Sequence, residues 1–521
     1  MKTIAVQALI DLMRSETPYA LFDVREIGEA EAGHILGATF LPRRMIEFRI
    51  ADLVPVRATT IVVYDEGGKR AERAAATLQQ LGYTDVAVLA GGAAAWREAG
   101  KALTEGSNVP SKLFGEHVHD QDHTPSVNAT TLRDWQRDNA KFLVCDIRTP
   151  EEYARSRIPG AFSTPGFDVG LCMPDLKDRS VPVVVNCAGR TRSIIACETL
   201  RHLGMENVYA LENGTMGWVL SDGTLEKGGG QGLIEPSAAG RAAAHGRALK
   251  MAQSVGAAFA DPAQIRRWLA ERDQGQSNVY VFDVRQTGEY DSGHIDGFTI
   301  LPGALAIQRT DEFMPVRQAQ VVFVDDDETR ALIAAYWLRR SGFPKVAILK
   351  GGIGAWTDAG FGLTKARQRR EPLGLAEDGA QITQVRAQDA AQLMNSGTRI
   401  IHVDTSTEFA KRHLAGASWL PRGWLEDRIA SVVPDRSQSL LVTCRDGQQS
   451  LLAASALKRL GYRNVAVLAG GMAAADGLAV EQGPDPSASE PKDFILPPYA
   501  KGVAGMQRYL EWETKLTRAQ T

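Results

Sequence analysis

Short apolar runs and longer amphipathic stretches alternate along this chain in an order that repeats four times. An apolar run closing on an acidic turn appears as LFDVRE (21–26), VCDIRTPEEY (144–153), VFDVRQTGEY (281–290) and IHVDTSTEF (401–409). Next come GHILGATFLP, RIPGAFSTP, GHIDGFTILP and RHLAGASWLP. About forty residues on stand IVVYDEGGKRAERAA, VVVNCAGRTRSIIAC, VVFVDDDETRALIAA and LLVTCRDGQQSLLAA. The unit closes with LGYTDVAVLAGGAAAW, LGMENVYALENGTMGW, SGFPKVAILKGGIGAW and LGYRNVAVLAGGMAAA. From residues 65, 187, 325 and 444 to the glycines at 92, 214, 352 and 471 the spacing is 27 every time. Chance does not produce four such matches, so the chain is a domain duplicated at a period of about 120 to 140 residues, too long for a solenoid repeat.

Within a unit the pattern predicts strand, loop, strand, turn, helix (RSIIACETLRHLG), strand (NVYALE), then glycine and a short helix. That order predicts α/β modules, each a central, mainly parallel sheet flanked by helices. The expected modules are 1–105, 126–222, 258–366 and 380–482, followed by 483–521 as linker and helical tail (GMQRYLEWETKLTRA). Stretches 105–125, 222–257 and 366–380 read as linkers.

Composition narrows the function. The chain has 521 residues, 44% of them hydrophobic, and a formal net charge of −3, which gives no general attraction to nucleic acid or anionic membrane. MKTIAVQALIDLMRSE lacks the apolar core of a signal peptide, and no segment is long enough to span a bilayer. The five cysteines, Cys145, Cys172, Cys187, Cys197 and Cys444, are too few and too irregular for a disulfide framework, so a reducing cytoplasm is expected.

The sharpest chemistry lies in NCAGRTRSII (186–195). Cys187 leaves an apolar strand and precedes a helix, so the intervening amides converge on an anion and favour a thiolate. Gly189 permits the turn, Arg190 and Arg192 add positive charge, and Ser193 is placed to cap the helix. The bland alternative, a small buried residue at a strand end beside exposed arginines, is weakened because the same slot recurs in four copies.

Together CDIRTPEEY, IPGA, CAGRTRS and ENGTMGW resemble the rhodanese family of sulfurtransferases, as four tandem modules covering almost the whole chain. The resemblance implies a six-residue loop, Cys187, Ala188, Gly189, Arg190, Thr191 and Arg192, headed by the catalytic cysteine. It implies a sulfane sulfur taken from an anionic donor such as thiosulfate, carried as a persulfide and passed to cyanide, a thiol or a protein acceptor. Loop amides would steady the persulfide and the arginines would hold the donor. No cofactor or metal, nucleic acid or membrane is implied. The donor, the acceptor and the oligomeric state stay open. Related phosphatases share the fold but need a loop one residue longer, and a non-catalytic scaffold of degenerate modules is the remaining alternative.

The first loop position reads Asp65, Cys187, Asp325 and Cys444. A carboxylate cannot carry sulfane sulfur, so modules one and three are expected to be silent. The resemblance to two-module rhodaneses implies two consecutive pairs, module one walling the loop of module two and module three that of module four. Cys444 is a possible second nucleophile, but its module has Gln449 where the others have Arg70, Arg192 and Arg330. It also has Thr405 for Arg25, Arg148 and Arg285, and Ala475 for Trp96, Trp218 and Trp356. Asp23, Asp146, Asp283 and Asp404 are read as structural acids ending each first strand. Arg157 stands where the others have His34, His294 and His413; contact with substrate there would alter donor preference.

Cys145 and Cys197 read as core, and Cys172 as a weak candidate for a resolving thiol. His117, His119 and His123 cluster in a polar stretch without a second metal motif. GGGQG (228–232) lacks the residues of a phosphate loop and reads as flexible linker.

Overall fold

The computed structural model describes residues 1–177, 181–232, 235–367, 370–488 and 490–517. Each repeat forms one parallel sheet. In module two the strands lie in the order Gln231–Gly232, Phe162–Ser163, Leu143–Asp146, Val183–Asn186, Val208–Leu211, Ser126–Val127. The parallel sheets of modules one, three and four have five strands each in the matching order, without the Gln231–Gly232 edge, and module four adds an antiparallel pair, His413–Leu414 with Val480–Glu481. The strand carrying the loop is central and every residue of Val183–Asn186 is buried, as a parallel sheet covered on both faces requires. GGGQG thus supplies an edge strand in part, rather than linker alone.

The chain divides into two compact units: Met1–Ser107 with Arg369–Ile495, and Asn108–Gln368 with Leu496–Thr521. Module one is therefore paired with module four, and module two with module three. This corrects the expected consecutive pairing. The stretches read as linkers explain it. Val109–Gln121 is a helix packed on the helix Thr191–His202 of module two. Ala238–Ser254 is a helix packed on both Asp168–Lys177 of module two and Thr329–Arg340 of module three. There the fully buried Trp337 of module three donates to Thr199 Oγ1 of module two at 2.8 Å. In the other unit, buried Arg422 of module four pairs with Glu47 of module one and donates to the Arg44 carbonyl at 2.8 Å.

Strand register corrects one alignment. Asp23, Asp146 and Asp283 pair across to Tyr64, Asn186 and Val324, and the residue in that slot of module four is His402, opposite Thr443. Asp404 therefore occupies the arginine position, and Thr405 the helix-capping one. In modules one to three the acid grips the arginine two residues on, as in Asp146–Arg148 at 2.7 Å. Arg25 and Arg285 then reach the carboxylates of Glu66 and Asp326 at loop position two. Module four inverts the charges: Asp404 accepts from the amide of Arg445, its own position two, at 3.1 Å. The arginine is exchanged there, not simply lost.

Candidate active site

The invariant spacing of 27 has a steric cause. Gly214 has φ +53°, and a Cβ on it would lie 2.3 Å from the Cys187 carbonyl. That carbonyl accepts from the amide of Thr215 at 2.8 Å, and the same contact joins Asp65 to Ala93, Asp325 to Ile353 and Cys444 to Met472. Only glycine combines that backbone with so close an approach, so each loop is pinned at its first residue.

The four first residues then use the loop amides differently. The Asp65 carboxylate accepts from the amides of Gly67 (2.8 Å), Gly68 (2.9 Å), Arg70 (2.9 Å) and Ala71 (3.1 Å). Asp325 accepts from Asp326 (2.8 Å) and Arg330 (2.7 Å), with the Arg330 guanidinium added. Both loops hold an anion that is part of the chain. Cys444 lies in similar amides: its Sγ accepts from Gly447 at 3.1 Å and Ser450 at 3.3 Å. Burial pushes the Cys444 thiol up against those hydrogen bonds.

Module two is unlike the others. Cys187 is 2% exposed and donates to Ser193 Oγ at 3.5 Å, while Ser193 donates to the Arg190 carbonyl at 2.8 Å. Among the described residues, no acceptor meets the amides of Gly189, Arg190, Arg192 or Ser193. Buried N–H groups rarely go unpaired, so these four are suited to an anion brought from outside. The helix begins at Thr191 with Arg190 in the capping position, so Ser193 is no cap; it bonds the sulfur instead.

The two arginines are not unpaired. Arg190 is gripped by Glu116 through Nε (2.7 Å) and Nη2 (2.9 Å). Arg192 is gripped by Glu152 at 2.8 and 2.9 Å. Burial disfavours the ionised Glu152, but the hydrogen bonds and charge of Arg192 outweigh it and bring its carboxyl to about 2. Glu152 also closes a capping box with Thr149. The same box glutamates hold the sixth-position arginines beside the aspartate loops, Glu29 on Arg70 and Glu289 on Arg330. This arginine therefore serves the fold in three modules. In module four, Gln449 leaves Glu408 to Lys411.

Several contributors were not legible as site residues. Glu116 comes from the stretch read as linker, whose helix approaches so closely that a Cβ on Gly115 would lie 2.8 Å from Thr191 Cγ2. The C-terminal helix Gly502–Lys515 packs Met506 and Leu510 on Met216, two residues past the pinning Gly214. It brings the Tyr509 ring and the Glu513 carboxylate against Gly189, and Glu513 accepts from Thr191 Oγ1 at 2.9 Å. On the Arg192 side a cavity of about 230 Å³ opens between modules two and three, lined by Ile147, Pro150, Pro165, Gln286, Pro302 and Leu305 among others. Module three thus shares the cavity beside Arg192, the sixth loop residue, where module one was expected.

The remaining candidates recede. Cys145 and Cys197 are buried in the core. Cys172, in the helix Asp168–Lys177, is pushed up to about 12 by burial and the nearby acids, which makes it a poor thiolate. His117 and His123 are exposed, and His119 bonds Asp120. Asp122, Glu198 and His202 approach one another, but Asp122 grips Arg340, Glu198 grips Arg201, and His202 meets the Tyr336 hydroxyl. Arg157 lies over the Tyr153 ring and bonds Glu226 and the Gly228 carbonyl, a local role like that of His294 stacked on Tyr290.

Comparison with known proteins follows the same lines. The family model described as rhodanese-like domain matches residues 5–99, 128–221, 266–359 and 386–476. A crystal structure of thiosulfate sulfurtransferase from Pseudomonas aeruginosa superposes with a TM-score of 0.90 at 34% identity, covering 99% of this chain and 97% of that one. A sulfurtransferase from Allochromatium vinosum is 33% identical over 93 residues, 18% of this chain and 85% of that protein. The thiosulfate sulfurtransferase GlpE of Glaesserella parasuis is 32% identical over 90 residues, 17% of this chain and 82% of that protein.

Proposed function

We propose a reaction for this chain from one premise: it belongs to the rhodanese-like domain family, whose model matches all four modules. The reaction is sulfur transfer, with Cys187 as the nucleophile. The observation that carries this reading is the contrast among loops: amides that hold the Asp65 carboxylate have counterparts at Gly189 to Ser193 that meet no acceptor among the described residues. The carboxylate oxygens stand in for the anionic outer sulfur of a persulfide.

With thiosulfate, the Cys187 thiolate attacks the outer sulfur. A new S–S bond forms, the bond to the sulfonate sulfur breaks, and its electron pair leaves with sulfite. Cyanide or a thiolate then attacks the outer persulfide sulfur and releases the Cys187 thiolate. Preorganised N–H donors favour the persulfide anion without reorganisation during the step. The relatives named above support this reaction class, and the six-residue loop suits sulfur better than phosphorus. Modules one and three, with their carboxylates already seated, serve as structural partners. All five cysteines are buried thiols, which supports a reducing compartment such as the cytoplasm; no helix among the described residues is long and apolar enough to cross a membrane.

Thiocyanate formation from thiosulfate and cyanide tests the reading. It is expected in the wild type, to persist in Cys444→Ser and to vanish in Cys187→Ser. Activity that survives Cys187→Ser but not Cys444→Ser overturns the assignment.

A further inference from the structure

The C-terminal helix adds a charge to the Cys187 site that sulfur transfer by itself does not call for. Glu513 is 1% exposed. One carboxylate oxygen accepts from Thr191 in the loop; the other, Oε2, is buried, meets no hydrogen-bond partner among the described residues and points at Gly189, 3.3 Å from where a Cβ would stand. Arg190 and Arg192 are already matched by Glu116 and Glu152. Glu513 therefore places a further acidic group beside the loop amides, with Lys112 facing it. Lys112 is itself engaged, lying 5.0 Å over the Tyr509 ring and 4.9 Å over Trp512. On the other side of the loop, the cavity reached by Arg192 is walled largely by aliphatic and proline side chains.

We propose that Glu513 is a specificity-determining residue of the Cys187 site, disfavouring doubly charged sulfur donors and favouring singly charged donors that carry an organic group. The proposal rests on sulfur transfer through Cys187 and names its donor class. A carboxylate close to the incoming anion costs a dianion about twice what it costs a monoanion. The cavity beside Arg192, with Ile147, Pro165, Pro302 and Leu305 in its lining, suits an organic substituent that thiosulfate lacks. With an organic thiosulfonate the loading step balances in the same way: the thiolate takes the outer sulfur, and the S–S electron pair leaves with the sulfinate.

The experiment uses the full chain and two donors, thiosulfate and methanethiosulfonate, with cyanide as acceptor. The assay is run from about pH 7 to about pH 10, because burial raises the Glu513 carboxyl and the donor ratio is read where it is ionised. Wild type, Glu513→Gln and Glu511→Gln are compared; Gln keeps an acceptor for Thr191, and Glu511 lies on the exposed side of the same helix. Glu513→Gln is expected to raise kcat/KM for thiosulfate about fivefold relative to that for methanethiosulfonate, while Glu511→Gln leaves the ratio unchanged. A ratio unmoved by Glu513→Gln, or moved equally by Glu511→Gln, overturns the inference alone, provided that peptide mass spectrometry finds sulfur added at Cys187. Absence of that sulfur with both donors overturns the underlying reaction, and this inference with it.

Discussion

The Cys187 and Cys444 loops share a strand, a turn and a pinning glycine, yet they dispose of their amides in opposite ways. In the Cys444 loop four N–H groups are spent within the module: Gly447 and Ser450 bond the sulfur, Gln448 bonds Asp446, and Arg445 bonds Asp404. In the Cys187 loop Ser193 Oγ meets the sulfur, and the amides from Gly189 to Ser193 meet no acceptor among the described residues. Both modules keep a thiol, so the thiol does not distinguish them. The difference lies in whether the backbone still has donors to offer an anion. A persulfide puts its charge on the outer sulfur, one bond beyond Sγ, so a loop that grips Sγ itself is set for a resting thiol.

Substitutions can break this contrast, and the largest effect belongs to the nucleophile. Cys187→Ser is expected to lower thiocyanate formation by at least about 10³-fold, whereas Cys444→Ser leaves most of it, measured under saturating thiosulfate. Next is the pin. Gly214→Ala places a methyl group against the Cys187 carbonyl in a left-handed backbone, and is expected to destabilise the unit by more than about 1 kcal/mol and to lower activity with it. Denaturant unfolding followed alongside turnover checks both.

Cys187→Asp sharpens the comparison in the other direction. It gives module two the first residue of module one, so its carboxylate is expected to accept the unpaired amides. Activity disappears, while stability is retained or rises by on the order of 1 kcal/mol. Loss of folding in this variant would mean that the amides are not arranged as a seat for an anion.

The smallest effect is the pH dependence of the Glu152–Arg192 pair. Its carboxyl lies near 2 in the folded protein against an ordinary 4.5, so the unfolded chain binds the extra proton in between. The contribution of the pair is complete above about pH 4.5 and lost as pH falls toward 2. Glu152→Gln should flatten that part of the acid-unfolding curve.

Much of this was written locally. The four sheets, the loop boundaries and the division into aspartate and cysteine modules follow from apolar runs, glycines and spacing. Glu152 could have been found from TPEE, a capping-box pattern recurring as EIGE and QTGE. Glu116, Tyr509 and Glu513 could not: they reach the loop from helices roughly 70 and 320 residues away in sequence, and no local pattern encodes such contacts. The pairing of modules two and three was hidden for the same reason, since it rests on Trp337 meeting Thr199 and on a helix read as linker. The register of module four was misread because an acid follows its strand two residues later than in its siblings.

Sulfur transfer through Cys187 requires that its Sγ, and not that of Cys444, receive the donor's atom. Incubating the wild-type chain with thiosulfate, without acceptor, and mapping added sulfur by peptide mass spectrometry tests it directly. One extra sulfur is expected on the peptide carrying Cys187 and none on that carrying Cys444. Sulfur on Cys444 with Cys187 unmodified would contradict it.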